Sequence, residues 1–347
     1  MIHRCDAGPQ IGTGHFFRQL ALAEEALERG HDPLILVTGL TASLEWQAGA
    51  VGVEVEASGA EPASPGDAEE VLERAERRKS TAIVVDGYRF GPEYYRDLGQ
   101  GLQVVAAVDD VAGQEFPVDV LVNVNPHAEG LDYRGADRCL LGPRYALLRR
   151  QFVAARGEIE SEAGPPVPRD VARVLVNFGG GDPRRMTAVA LGALRKTGYG
   201  GRVDLVLGPA AGNAAGRVAA MEGRADVNVH RNVSDMVSLM RGRHVAMCAA
   251  GGTSWELACL GVPMIQTALA DNQRPIARCL EEQGVTVYAG TSDEVDPAEF
   301  ADLFRRVAGD RTLRSRMARR GMGLVDGRGA RRVLDTVEQV AERGDDR

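Results

Sequence analysis

The amino-acid sequence predicts an α/β protein of two doubly wound, parallel-sheet domains. Three observations predict it. Apolar runs of strand length alternate with helix-patterned segments through most of the 347 residues, the pattern of a parallel sheet wrapped by helices. The alternation breaks once, between Ala154 and Asp170, into Gly, Glu, Ser and Pro, with Pro165, Pro166 and Pro168 close together, and then restarts. Each half carries a glycine turn between an apolar run and a helix-patterned one, at Gly12 and Gly14 and again at Gly251 and Gly252. The expected division is residues 1–158, a linker over 159–170, a second domain over 171–328 and a terminal helix within 329–347.

In order along the first half, Met1–Asp6 reads as a strand, and the turn Ile11–Arg18 (IGTGHFFR) leads into a helix from Gln19. Pro33–Val37 is a short strand, Ala68–Arg78 a charged helix, and Thr81–Val85 a buried strand ending in Asp86-Gly87-Tyr88. Leu102–Val108 runs into Asp109-Asp110, and Val118–Val124 ends around Asn123 and Asn125. Parallel sheets bind ligands at the carboxyl ends of their strands, so Asp86, Asp109 and Asn123 are site candidates; each also reads as a turn or cap residue. After the break, Val171–Phe178 is a strand closed by Gly179-Gly180-Gly181-Asp182, and Met186–Thr197 is a helix. Arg202–Leu207 is a strand ending at Gly208-Pro209, Val227–His230 a short strand, and Val233–Met240 a helical turn or two. Val245–Ala250 is a strand, and Asp302–Met317 and Gly329–Val340 are terminal helices.

The two glycine turns are where chemistry is expected. Glycine lets the backbone turn tightly and approach a ligand, and the helix behind it offers unpaired N–H groups and a positive dipole end. His15 stands at the mouth of the first turn, and histidine is the side chain best suited to moving protons near neutral pH. In the second turn, within Cys248–Pro263 (CAAGGTSWELACLGVP), Thr253 and Ser254 cap the following helix and offer hydroxyls to a phosphate. Glu256 in the first turn of that helix suits two ribose hydroxyls, and equally suits simple dipole stabilisation. Asn272 and Gln273 follow the next strand, with amides suited to sugar hydroxyls.

Composition narrows the partners. The net charge of −8 gives no global basic character pointing to nucleic acid. The Arg-rich stretch Arg305–Arg332 reads as a solvated helical face. Asp6 and the first turn interrupt any secretory leader, and no run approaches the ~20 apolar residues of a membrane helix. Five cysteines without CxxC spacing, and six histidines without HxxxH or HExxH, point to reduced thiols in the cytoplasm and to no metal site.

The ordered segments HRCDAGPQIGTGHFFRQLALA, VDGY, VDDVAGQEFPVDVLVNVN, Gly142–Arg149, VNFGGGDP, CAAGGTSWELACLGVP and ALADNQ resemble GT-B-fold nucleotide-sugar enzymes of the PseG/SpsG family. That family comprises UDP-sugar hydrolases of pseudaminic-acid biosynthesis and spore-coat glycosyltransferase-like proteins; the second half is also similar to the MurG transferase. The resemblance implies two Rossmann-like domains facing a central cleft, the terminal helix crossing back to the first. It implies His15 as catalytic base, with Tyr88, Asp109 and Asn125 lining the sugar or acceptor side. Gly12 and Gly14 would let the backbone approach. Gly251, Gly252, Thr253 and Ser254 would hold the diphosphate of UDP, Glu256 the ribose, Val233 the uracil edge, and Asn272 and Gln273 the sugar. The implied reaction displaces UDP from the anomeric carbon with inversion, without a metal or other cofactor. Water is the nucleophile in a hydrolase, and a small acceptor such as a natural-product aglycone or nucleobase in a transferase. A UDP-sugar epimerase and a non-catalytic UDP-sugar binder are further alternatives. One departure stands out: where the hydrolases carry histidine between the aspartate and tyrosine of a DHY motif, this chain has Gly87.

Overall fold

The computed structural model describes residues 1–8, 11–162, 164–179, 186–208, 226–231 and 233–345. Pro9 and Gln10 ahead of the first turn, Gly180, Gly181 and Asp182 after the strand ending at Phe178, and Pro209 lie outside the described residues. The chain forms two compact units, Met1–Arg150 with Gly327–Arg347, and Gln151–Asp326.

In the first unit, β1 (Ile2–Asp6), β2 (Leu34–Thr38), β3 (Glu54–Ala57), β4 (Ala82–Asp86), β5 (Val104–Val108), β6 (Val120–Asn123) and β7 (Arg138–Leu141) form one sheet. Its order is β3-β2-β1-β4-β5-β6-β7 and every neighbouring pair is parallel. The helices α1 (Gly14–Glu28), α2 (Ala42–Gly49), α3 (Pro65–Arg78) and α4 (Pro92–Leu98) cover both faces. Ile35 and Val37 of β2 pack with Phe16, Leu20 and Leu44 from α1 and α2. Leu34 and Leu36, their alternate neighbours, pack with Val71, Tyr94 and Leu98 from α3 and α4. Burial on both faces is why these strands read as unbroken apolar runs. Strand order reverses between β1 and β4, so the loops after those two strands diverge and leave a crevice at the carboxyl edge.

The second unit begins in α5 (Arg150–Ser161). Its strands β8 (Arg173–Asn177), β9 (Arg202–Leu207), β10 (Asp226–Arg231), β11 (Val245–Ala249), β12 (Met264–Ala268) and β13 (Thr286–Thr291) form a second parallel sheet. The order is β10-β9-β8-β11-β12-β13, reversing between β8 and β11. Its described helices are α6 (Met186–Lys196), α7 (Met236–Met240), α8 (Thr253–Cys259), α9 (Gln273–Glu282), α10 (Pro297–Gly309) and α11 (Arg311–Leu324). Val174, Val203 and Met247 meet Leu191 and Leu194 of α6 and Phe300 and Phe304 of α10 in one core. The last helix, α12 (Gly329–Asp345), belongs to the first unit. There Arg29 at the end of α1 donates to Asp335 (2.7 Å) and Glu338 (2.6 Å). A Cβ on Gly329 would lie 2.2 Å from the Ala146 carbonyl oxygen, so only glycine starts that helix.

Three expectations differ from what is observed. The boundary falls at Arg150, ahead of the Pro-rich stretch, because α5 is tied into the second unit: Arg156 donates to the carbonyls of Cys259 (3.1 Å) and Val325 (2.9 Å). Asp302–Met317 is two helices, since Asp310 ends α10 and its carboxylate caps α11 through the Leu313 N–H (2.8 Å). The Arg-rich stretch is not a uniformly solvated face: Arg314 is fully buried and donates to the carbonyls of Val307, Ala308, Pro168 and Arg169. Among the described residues no helix is long and apolar enough to cross a membrane, and no group of three or more His, Cys, Asp or Glu is placed to hold a metal ion.

One buried ion pair anchors β1 to α3. Arg4 is fully buried and donates from Nε (2.9 Å) and Nη2 (3.0 Å) to Asp67, from Nη1 to the Cys5 carbonyl (2.7 Å) and from Nη2 to Thr38 Oγ1 (2.8 Å). Removing one partner leaves the other charge buried and unpaired. Asp67→Ala is expected to destabilise the first unit by about 3–5 kcal/mol in urea denaturation.

Candidate functional site

At the carboxyl edge of the first sheet, the loops after β1, β4 and β5 lie side by side. Gly8 and Gly12 close the first loop as a small antiparallel bridge, with N–H to carbonyl distances of 3.1 and 2.7 Å. Gly12 sits at φ +84°, a left-handed conformation that favours glycine. Gly14 opens α1, and no side chain caps that helix start. His15 in its first turn is only 6% exposed, with Nδ1 3.8 Å from Asp86 Oδ1. That buried Nδ1 has no hydrogen-bond partner among the described residues. The Tyr88 ring meets the imidazole edge-on at a centroid distance of 4.9 Å.

One turn further along α1, Arg18 holds two carboxylates at once. Its Nε and Nη2 donate to Asp86 (2.9 and 2.7 Å), and its Nη1 donates to both oxygens of Asp110 (2.9 and 3.0 Å). Asp110 also accepts from the Tyr88 hydroxyl (2.9 Å) and from Asn125 Nδ2 (3.0 Å). Burial raises the Asp110 carboxyl, but the Arg18 guanidinium beside it wins and holds it down at about 2. Burial and the neighbouring Asp110 charge push the Tyr88 phenol up, so Tyr88 stays a neutral donor. Asp6 at the end of β1 is paired with Arg89, whose Nε donates to it at 3.1 Å.

The structure thus brings His15, Tyr88 and Asn125 together, and puts Asp110 among them where Asp109 was expected. Asp109 Oδ2 accepts from the N–H groups of Val111 (2.8 Å) and Ala112 (2.6 Å) and from the Tyr133 hydroxyl (2.8 Å). It shapes the turn that presents its neighbour. Sequence reasoning quoted Arg18 and Asp110 within longer motifs and gave neither a role; only the adjacency of two aspartates at a strand end signalled the second. Asn123 supports the loop after β6, its Oδ1 accepting from the Asn125 N–H (2.8 Å). At Gly87 a Cβ would lie 2.8 Å from Phe90 Cε2 and 3.1 Å from Asp6 Oδ2. Phe90 is fully buried, so it cannot swing aside cheaply.

In the second unit, β11 runs into Ala250-Gly251-Gly252 beside the reversal of strand order. Gly252 is exposed and no side chain caps α8. Thr253 is half-buried at the helix start, and Glu256 is half-buried in its first turn. Ser254 differs from expectation: its side chain is fully buried, with Oγ accepting from Gln266 Nε2 (2.7 Å) and its N–H bonding the Gly251 carbonyl (2.8 Å). It fixes the turn from inside and presents no hydroxyl to solvent. After β12, Asn272 is exposed, and Gln273 accepts from the Leu269 N–H (2.9 Å). Gln273 also stands close to Gly251, since a Cβ there would lie 3.5 Å from its Nε2. Val233 follows β10, just before Asp235 caps α7.

No protein-family model matches the chain. In sequence it is 25% identical over 212 residues to the spore coat polysaccharide biosynthesis protein SpsG of Bacillus subtilis, covering 60% of this chain and 61% of that relative. The chain therefore spans less than two thirds of that relative's length. In structure it aligns with MurG of Acinetobacter baumannii at a TM-score of 0.65, with 16% identity over 97% of this chain and 99% of that one. It aligns equally with Arabidopsis thaliana UGT89C1 complexed with UDP-L-rhamnose, at a TM-score of 0.66 and 15% identity over 98% of each chain. The chain has the GT-B fold and is SpsG-like in sequence.

Two expectations follow. Asp110 titrates near 2 when folded and near ~3.9 when unfolded, a depressed carboxylate. Its contribution is fully present above pH ~4 and is lost as the pH falls towards 2. Acid unfolding followed by circular dichroism should therefore be less steep across that window in Asp110→Asn, which is also less stable at neutral pH. Gly87→His overpacks against Phe90 and is expected to cost about 1–3 kcal/mol in thermal unfolding.

Proposed function

We propose that this SpsG-like GT-B chain is an enzyme acting on a nucleotide sugar, displacing UDP from the anomeric carbon with inversion. The observation that carries this reading is the buried Nδ1 of His15, without a hydrogen-bond partner among the described residues and 3.8 Å from Asp86, which is itself held by Arg18. A base oriented by a carboxylate is the arrangement that activates a nucleophile. With Nδ1 turned towards Asp86, Nε2 is the nitrogen left to take a proton. As the nucleophile's oxygen bonds to the anomeric carbon, its proton passes to His15 Nε2, and the bond to the UDP oxygen breaks. The Asp86 carboxylate stabilises the imidazolium formed.

Electrostatics support placing the diphosphate on the second unit. The first sheet's edge carries Asp6, Asp86 and Asp110, and the arginines against them are already paired. An added diphosphate there meets net negative charge. The second sheet's edge offers Gly251, exposed Gly252 and Thr253 at an uncapped helix start, where backbone N–H groups stabilise leaving UDP without a metal. Glu256 is then the ribose partner, Val233 the uracil contact, and Asn272 and Gln273 the sugar contacts. Ser254 contributes through the shape of the turn.

Water as nucleophile makes the chain a hydrolase. A second reading, transfer to a small organic acceptor, is favoured by exposed apolar side chains on the loops at the same sheet edge as His15. Ile11, Tyr88 and Val111 are 42, 53 and 46% exposed on the loops after β1, β4 and β5.

The test is UDP release from a panel of UDP-sugars, with and without organic acceptors, followed by mass spectrometry of the product. Free sugar without acceptor establishes hydrolysis, and a glycoside formed only with acceptor establishes transfer. A sugar nucleotide of unchanged mass but altered stereochemistry points to epimerisation. UDP binding with no turnover of any donor sinks the enzyme reading. His15→Ala is expected to lower turnover by about 10²–10⁴-fold while UDP affinity, measured calorimetrically, stays within twofold of the unsubstituted chain.

A further inference from the structure

Behind the candidate base lies a buried polar chain that the proposed reaction does not use directly. His3 on β1 and Gln19 on α1 are both fully buried. His3 Nδ1 lies 2.8 Å from Gln19 Oε1, and Gln19 Nε2 lies 3.5 Å from Asp86 Oδ2. That oxygen also accepts from Arg18 Nε (2.9 Å), while Asp86 Oδ1 faces His15 Nδ1 at 3.8 Å. We infer that His3 and Gln19 form an orientation lock on Asp86, which makes both of them positioning residues for His15.

The proton assignments follow from elimination. An ionised carboxylate only accepts, so the part of the Gln19 amide facing Asp86 is its NH2. The carbonyl then faces His3, whose Nδ1 must carry the proton. Burial pushes the His3 imidazole down to about 4, which keeps it neutral and its tautomer defined by this one bond. Its Nε2 is buried with no hydrogen-bond partner among the described residues. Ile2 beside it on the same strand is fully buried, so an apolar side chain at position 3 would fill the strand with no orphaned nitrogen. An imidazole kept there at the cost of a bare lone pair is explained by the proton on its other nitrogen.

Without that proton, the Gln19 carbonyl loses the bond that anchors it, and the amide is held only by its long 3.5 Å contact to Asp86. The amide can then drift back from the carboxylate, which loses a donor. Less of the Asp86 charge is shared behind it, so more acts on His15, and the imidazolium is favoured. The groups facing Asp86 are Arg18, His15 and Gln19 from α1, Cys5 from β1, Tyr88 from the loop after β4, and Tyr95 from α4. Arg18 is always charged, and the buried thiol and both phenols titrate well above neutral pH. His15, which faces both Asp86 and Asp110, is therefore the group through which a change at Asp86 is read.

The inference rests on His15 as the proposed base, but its test needs no turnover. In full-length chain labelled at histidine Cε1, NMR titration follows His15, assigned by the loss of its signal in His15→Asn. Gln19→Met and His3→Leu are expected to raise the pH at which His15 titrates by roughly half a unit or more. The double variant moves it no further than either single one. His3→Asn, whose amide can still donate to Gln19, keeps the original titration. Thermal unfolding confirms that each variant is folded, and Gln19→Met, which conserves volume, carries the test if His3→Leu is not. A His15 titration unmoved in folded Gln19→Met overturns the lock, whatever the enzyme's activity. A chain that turns over no nucleotide sugar overturns the functional reading and leaves the titration result standing. Where turnover is measured, the acidic limb of kcat/KM moves by the same amount as the NMR midpoint.

Discussion

Three segments far apart in the chain meet at the carboxyl edge of the first sheet because one guanidinium, that of Arg18, bonds Asp86 and Asp110 together. Two carboxylates brought that close would otherwise repel, and one would protonate. The planar fork prevents this by giving two donors to Asp86 and a third, shared between both oxygens, to Asp110. Everything else at the site is referred to that pair. Asp86 faces His15, Asp110 holds Tyr88 and Asn125, and Tyr88 rests against His15. Lysine would supply the charge but not the geometry, because a single ammonium cannot present separate parallel donors to two carboxylates.

The position of this fork follows from the sheet. A parallel strand order that reverses between β1 and β4 sends one loop to each side, and α1 begins in the gap. Residues at the start of α1 are thereby aimed at strand ends. His15, Arg18 and Gln19 fall within the helix's first two turns, and all three address Asp86. The second unit repeats the topology with different chemistry: there the turn at the reversal carries glycines and an uncapped helix in place of paired charges.

Much of this was legible in the sequence, for reasons that can be named. Strands buried on both faces are apolar through their middles, so β4, β5, β8 and β11 announce themselves, with polar residues only at the ends of β4 and β8. His15 was legible because it follows two glycines at a helix start. Arg18 was not, since its partners lie 68 and 92 residues away and no local pattern marks them. The choice between Asp109 and Asp110 depends on how the turn at Val111 and Ala112 twists, which adjacency alone does not encode. Ser254 misled because a hydroxyl beside two glycines suggests a ligand, whereas its partner is Gln266, a polar residue on the apolar strand β12. His3 was hidden in the same way: one polar residue inside a strand pattern carries no sign of what it faces. Asp310 could be read as a helix interior because the residue that ends α10 is also the one that caps α11.

Under the proposed function, the glycine at position 87 bears on which nucleophile His15 would serve. Its missing side chain is not an empty place that a ligand might fill, because Phe90 and Asp6 already crowd it. Phe90 in turn lies 5.1 Å beneath the guanidinium carbon of Arg4, the cation that holds β1 to α3. A polar side chain at 87 would therefore disturb the buried pair on which the strand depends. Among the described residues, the Tyr88 hydroxyl and the Asn125 amide both already donate to Asp110. A water held for attack needs two or more polar partners to fix it. An organic acceptor needs fewer, since apolar contact with Ile11, Tyr88 and Val111 can orient it and leave a single hydroxyl for His15. On the proposed reading, the glycine at the position where the resembled hydrolases carry histidine thus favours an organic acceptor over a held water.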